Sequence, residues 1–123
     1  MEIKLFVTLG TLLGAIGVAI GAIGAHLLKD KLTLDQQHIM EIGVRYHMYH
    51  ALALIALACA LSFFNHEWLI FGLWCMFIGT VLFSGSLYLY ALTSIRYFAF
   101  ITPIGGTLLV LSWIIYTLGL VKT

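Results

Sequence analysis

The sequence predicts an all-α four-helix transmembrane bundle with a short amphipathic surface helix in its first loop, the whole chain forming one membrane domain. Three observations carry the prediction. Of the 123 residues, 63% are hydrophobic and 9% charged, where an ordinary soluble domain carries roughly 25% charged residues. The mean hydropathy is +1.09. Four uncharged runs take up most of the chain, and each is long enough to cross a hydrocarbon core about 30 Å thick, which takes about 20 apolar residues. The runs do not alternate polar and apolar residues as barrel strands would, and backbone polar groups in lipid must be satisfied internally, so helices are expected. The composition leaves too little polar surface for a water-soluble enzyme. A net charge of +1 provides no basic patch for nucleic acid.

The first span reads as Leu5 to Leu28. Its apolar part exceeds the roughly 7–15 residues of a cleaved signal, so it is expected to stay. Gly10, Gly14, Gly17, Gly21 and Gly24 follow one another at helical spacing and fall within about 80° on a helical wheel. Such a face lets a second helix lie close, which is how helices associate where lipid is as apolar as leucine. Packing inside the molecule is the first reading of this face, and a seam between two copies is the alternative.

Residues 29–45 are expected to form the one long loop. Thr33 with Gln36 has the spacing of a capping box, and Asp35 suits a first helical turn. Glu41 and Arg45 form an i,i+4 pair in the favourable order. A surface helix over 34–45 follows, either separate from the second span or running into it. His38, Glu41 and Arg45 share one stripe of that helix. Ile39, Gly43, Tyr46, His47 and His50 lie on the other side.

The second span reads as Tyr46 to His66, the third as Trp68 to Ile95 and the fourth as Tyr97 to Val121, with a minimal turn at 65–67 and a link over 93–102. Gly72, Gly79, Ser86 and Thr93 make a small-residue stripe on span three; Gly105, Ser112, Tyr116 and Gly119 make one on span four. Thr102 before Pro103 reads as a helix start, with a proline-containing helix from near Tyr97 as the alternative. Cys59 and Cys75 are read as small hydrophobes. Lys29, Lys31, Arg45 and Arg96 outnumber Lys4 and Lys122 across the bilayer, which favours the long loop in the cytoplasm.

Ionisable and polar groups inside spans are costly, and each is a functional candidate. Here they gather in one leaflet as His26, Arg45, Tyr46, His47, His50, Ser84, Ser86 and Thr102. Three uses can be set side by side. The groups can bond helix ends and one another and so hold the bundle together. They can line a proton or substrate path, which requires a polar cavity reaching toward the midplane. His47 and His50, at i,i+3, can join His26 around a metal or haem, which requires free imidazoles aimed at a common point. The absence of a nucleophile elbow and of a mid-span carboxylate argues against catalysis and transport. A non-catalytic membrane protein without metal or cofactor is expected. Its partners would be the bilayer and a second copy or another membrane protein.

Four segments stand in order along the chain: Gly21-Ala-Ile-Gly-Ala-His26, Val44-Arg-Tyr-His-Met-Tyr-His-Ala-Leu-Ala-Leu54, Leu82-Phe-Ser-Gly-Ser-Leu-Tyr88 and Ile101-Thr-Pro-Ile-Gly-Gly106. As a set they resemble the YgdD/YwdK family of small bacterial membrane proteins, and the resemblance covers nearly all of the chain. It implies a four-span protein of the bacterial plasma (inner) membrane with no established activity. His26, Arg45, Tyr46, His50, Ser84, Ser86, Thr102 and Pro103 match the family pattern. His47 departs from it toward the eukaryotic relatives, because Gln is common there in bacterial members.

Overall fold

A computed structural model describes all residues from Met1 to Thr123. The chain forms helices α1 (Glu2–His26), α2 (Leu34–Ala60), α3 (Glu67–Thr93) and α4 (Arg96–Lys122), and all four are long and apolar enough to cross a membrane. Their succession places Met1, residues 61–66 and Thr123 at one end of the bundle, and residues 27–33 and 94–95 at the other.

Helices α2 and α3 form the centre. Helix α1 packs on α2 and touches α3, while α4 packs on α3 and makes no close backbone approach to α1. The core is built from Phe6 and Leu13 of α1, Ala51, Leu54 and Ala58 of α2, Leu69, Leu73 and Met76 of α3, and Leu109 and Tyr116 of α4. The Phe6 and Trp74 rings meet edge to face at 5.1 Å and close α1 against α3.

Small residues set the helix separations. A Cβ at Gly10 would lie 3.0 Å from the Ala51 carbonyl oxygen, and one at Gly21 would lie 3.2 Å from Val44. The α1 glycine face thus packs against α2 at Gly10, Gly17 and Gly21, whereas nothing lies within 4 Å at Gly14 and only Met40 Cε, at 3.9 Å, faces Gly24. The α3–α4 seam is equally close. A Cβ at Gly72 would meet the Tyr116 backbone at 3.1 Å, and one at Gly119 would meet the Leu69 amide at 3.1 Å. At Gly105 the Phe83 backbone occupies the space a Cβ would need. Close approach without a hydrophobic driving force is what these residues supply.

Four expectations change. Of the two forms expected for residues 34–45, the separate surface helix does not form; they run into the second span as the first turns of α2, a continuous helix of 27 residues, about 40 Å long. The capping box forms: the Gln36 amide N–H donates to Thr33 Oγ1 at 3.2 Å and the Thr33 N–H donates to Gln36 Oε1 at 2.9 Å. The Gln36 side-chain amide then reaches the end of α3, donating to the Ala91 carbonyl at 2.9 Å and to Ser94 Oγ at 3.3 Å. That anchorage ties these polar turns to the end of α3. The first loop therefore shrinks to 27–33, braced by Gln37, whose Nε2 donates to the Lys29 and Leu32 carbonyls.

The second and third changes concern the other connections. Helix α2 ends at Ala60, so the connection to α3 runs over 61–66, wider than a turn at 65–67. The link between α3 and α4 is only Ser94 and Ile95. Ser94 takes a left-handed conformation with φ 57°, the reversal that commonly ends helices.

Fourth, α4 begins at Arg96, and Pro103 lies inside it. Thr102 is therefore not an N-cap. Its hydroxyl meets Ser86 Oγ at 2.7 Å, and Pro103 leaves the helix without one amide donor.

The candidate polar cluster between the helices

The polar residues of α2 recur at the spacing of one helix face, and α2 lies at the centre, so they point at three neighbours. His47 and His50 are buried. His47 Nε2 lies 2.7 Å from the Leu13 carbonyl of α1, and Nδ1 lies 2.8 Å from the Tyr88 hydroxyl of α3. A carbonyl only accepts, so Nε2 carries the proton and Nδ1 accepts from Tyr88. Two glycines make room for this bridge. A Cβ at Gly17 would sit 3.2 Å from the His47 ring, and one at Gly43 would sit 2.7 Å from Tyr88 Cε1. The Gly43 carbonyl in turn accepts from Ser84 Oγ at 2.8 Å.

His50 carries the opposite tautomer. Its Nδ1 lies 2.7 Å from the Tyr46 carbonyl, and its Nε2 lies 3.1 Å from Trp113 Nε1. Indole N–H can only donate, so Nε2 accepts and Nδ1 is protonated. Together with the Tyr116 hydroxyl, which donates to the Leu57 carbonyl at 2.7 Å, this contact ties α4 to α2.

Ser86 donates to the Phe83 carbonyl at 2.9 Å, so the Thr102 hydroxyl donates to Ser86 across the α3–α4 seam. No buried side-chain nitrogen or oxygen is left without a partner. In a low-dielectric interior an unpaired polar group is costly, and networks completed in this way favour a single arrangement of helices.

Not every residue of the predicted cluster joins. His26 is exposed at the end of α1, about 13 Å along the axis from the level at which Gly17 meets His47. A site formed by His26 with His47 and His50 is not assembled. Arg45 is exposed and pairs with Glu41 at 3.1 Å. Tyr46 keeps its ring half exposed, edge-on to Phe83 at 5.2 Å and stacked on the His50 ring at 6.4 Å, and its carbonyl accepts from His50. No group of three or more His, Cys, Asp or Glu side chains gathers at metal-binding range.

Tyr88, Trp113 and Gly43 complete the network, and none is among the predicted cluster residues. A signal for Tyr88 exists: it stands four residues after Ser84, on the same helix face. Nothing local marks Trp113, whose partner is 63 residues away.

Comparison with known proteins finds relatives named as membrane proteins. Residues 20–106 match the family described as a protein of unknown function (DUF423). The chain is 41% identical over 121 residues to a UPF0382 membrane protein of Staphylococcus saprophyticus, covering 97% of this chain and 98% of the relative. It is 39% identical over 120 residues to the UPF0382 membrane protein YwdK of Bacillus subtilis, covering 97% and 98%. With the UPF0382 inner membrane protein YgdD of Escherichia coli K12 it shares 37% identity over 109 residues, 89% of this chain and 83% of the relative. No solved structure matches.

Proposed function

The chain belongs to the DUF423 family of membrane proteins, and on that premise we propose that it acts as a non-catalytic component of the bacterial inner membrane, through packing and partner binding. One observation carries the reading. Both buried imidazoles have both ring nitrogens engaged within the chain. Neither offers a free lone pair to a metal or a free site to a substrate proton, so each serves as a cross-brace between helices.

The alternatives meet specific obstacles. A transport path would need a cavity reaching the histidines, whereas the cleft between α1 and α2 is lined as far as Ile20 and Val44 and by neither histidine. A haem or metal site would need His47 or His50 to give up a partner at 2.7–3.1 Å. The partners in this reading are the bilayer and a second copy or another membrane protein.

Purified protein in mild detergent tests the proposal. It is expected to be colourless and free of stoichiometric metal. Reconstituted into vesicles holding a pH gradient, it is expected to leave the gradient as it stands in empty vesicles. His50→Gln should lower thermal stability without changing either result. A Soret band, bound metal or proton flux that disappears in a folded His50→Gln protein would overturn it. Crosslinking in native membranes reports whether a second copy or another protein stands beside the chain.

A further inference from the structure

The last turns of α1 and the first turns of α2 part around a cleft of about 360 Å³, within the roughly 300–1,000 Å³ of sites that hold small ligands. Its walls change character along its length. Ile20, Gly21 and Val44 line the end nearer the bundle centre, and Lys29 and Glu41 stand at the other.

The depth of the cleft in a bilayer follows from the helix geometry. Gly24 is opposite Met40, and along α1 it lies about 30 Å from Lys4, the thickness of a hydrocarbon core. The apolar end is therefore at acyl-chain depth and the charged end at the headgroups. The charges at the rim are not equivalent. Glu41 is already paired with Arg45 at 3.1 Å in the chain's one ion pair, whereas Lys29 has no carboxylate partner. The rim thus offers one free cation above an apolar slot.

We infer that this cleft binds an anionic phospholipid, with the phosphate at Lys29 and an acyl chain laid past Gly24 toward Ile20. Gly24 gives the chain its room. A Cβ at Gly24 meets nothing nearer than Met40 Cε at 3.9 Å, so a side chain there extends into the cleft. Lys29 supplies a charge-assisted contact to phosphate. The site is separate from the His–Tyr and His–Trp braces, and its occupancy is independent of whether those braces have any further role.

Native mass spectrometry of the protein in mild detergent, titrated with palmitoyl-oleoyl phosphatidylglycerol, tests the inference. One lipid should bind per chain. Lys29→Ala should weaken binding about tenfold, the loss expected for one charge-assisted contact of about 1.4 kcal/mol. Gly24→Leu should abolish it while the melting temperature in lipid-free detergent stays near that of the parent. Lys31→Ala, which removes a neighbouring surface charge outside the cleft, should bind as the parent does. Palmitoyl-oleoyl glycerol, with the same chains and no phosphate, should bind much more weakly, and inorganic phosphate should not compete. Equal binding by the parent and Gly24→Leu, equal losses in Lys29→Ala and Lys31→Ala, equal affinity for the neutral glyceride, or displacement by inorganic phosphate would each overturn it.

Discussion

The Tyr88 hydroxyl reaches His47 Nδ1 at 2.8 Å across the α2–α3 seam because Gly43, one turn before His47, leaves the space that its ring passes through. Tyr88→Phe keeps the ring and removes the donor. The buried nitrogen loses its partner, and stability should fall by about 1 kcal/mol, typical of interhelical hydrogen bonds in membranes. Thermal or chemical unfolding in detergent measures this. A double-mutant cycle with His47→Gln should show coupling between the two sites, and strict additivity would mean that the contact contributes nothing.

The two buried histidines should carry opposite neutral tautomers, His47 protonated at Nε2 and His50 at Nδ1. Nitrogen-15 NMR of imidazole-labelled protein resolves the two forms. Trp113→Phe should change only the His50 signals, because it removes the donor to Nε2 and leaves the Tyr46 carbonyl contact. Matching tautomers in the parent would contradict the assignment.

The glycines of α1 should not respond alike. At Gly10 an added methyl would press on the Ala51 carbonyl at 3.0 Å and on Ile55, whereas at Gly14 it meets nothing within 4 Å. Gly10→Ala should destabilise by about 1–3 kcal/mol, as overpacking does. Gly14→Ala should be neutral or stabilising by up to about 1 kcal/mol, because alanine is the better helix former. Gly105→Ala should exceed both, since backbone rather than a flexible side chain blocks its methyl. Melting temperatures of the three variants give the ranking directly.

Gln36 does two things at once: it closes the capping box with Thr33 and ties the start of α2 to Ala91 and Ser94. Thr33→Ala removes one cap acceptor and should cost about 1 kcal/mol. Gln36→Ala removes the tertiary anchorage as well and should cost about 2 kcal/mol. Hydrogen exchange over 34–40 should rise more in Gln36→Ala. Equal exchange in the two variants would mean that the cap alone holds these turns.

The capping box was legible because its two partners are three residues apart and need no other element. The cap and the Glu41–Arg45 pair predict a helix over 34–45 but leave open whether it stands apart from the second span or runs into it. In the structure it runs into α2, and Gln36 ties its start to α3 at separations of 55 and 58 residues, contacts that no local pattern announces. The reading of Thr102-Pro103 as a helix start failed for a related reason. Both local patterns are compatible with the dipeptide, and the α3–α4 contact through Ser86 and Gly105 selects the continuous helix.

By itself the sequence determined the solvent this chain lives in and the number of times it crosses it. Hydrocarbon admits only backbone that satisfies itself, and each apolar run is as long as the bilayer is thick. It also determined which faces are smooth enough for close packing. The tertiary structure alone decided which polar groups meet. Lipid does not drive helices together by hydrophobicity, so the partners of His47 and His50 follow from how closely α1, α3 and α4 approach α2. That approach is set by glycines 17 and 43 together with side chains on other helices.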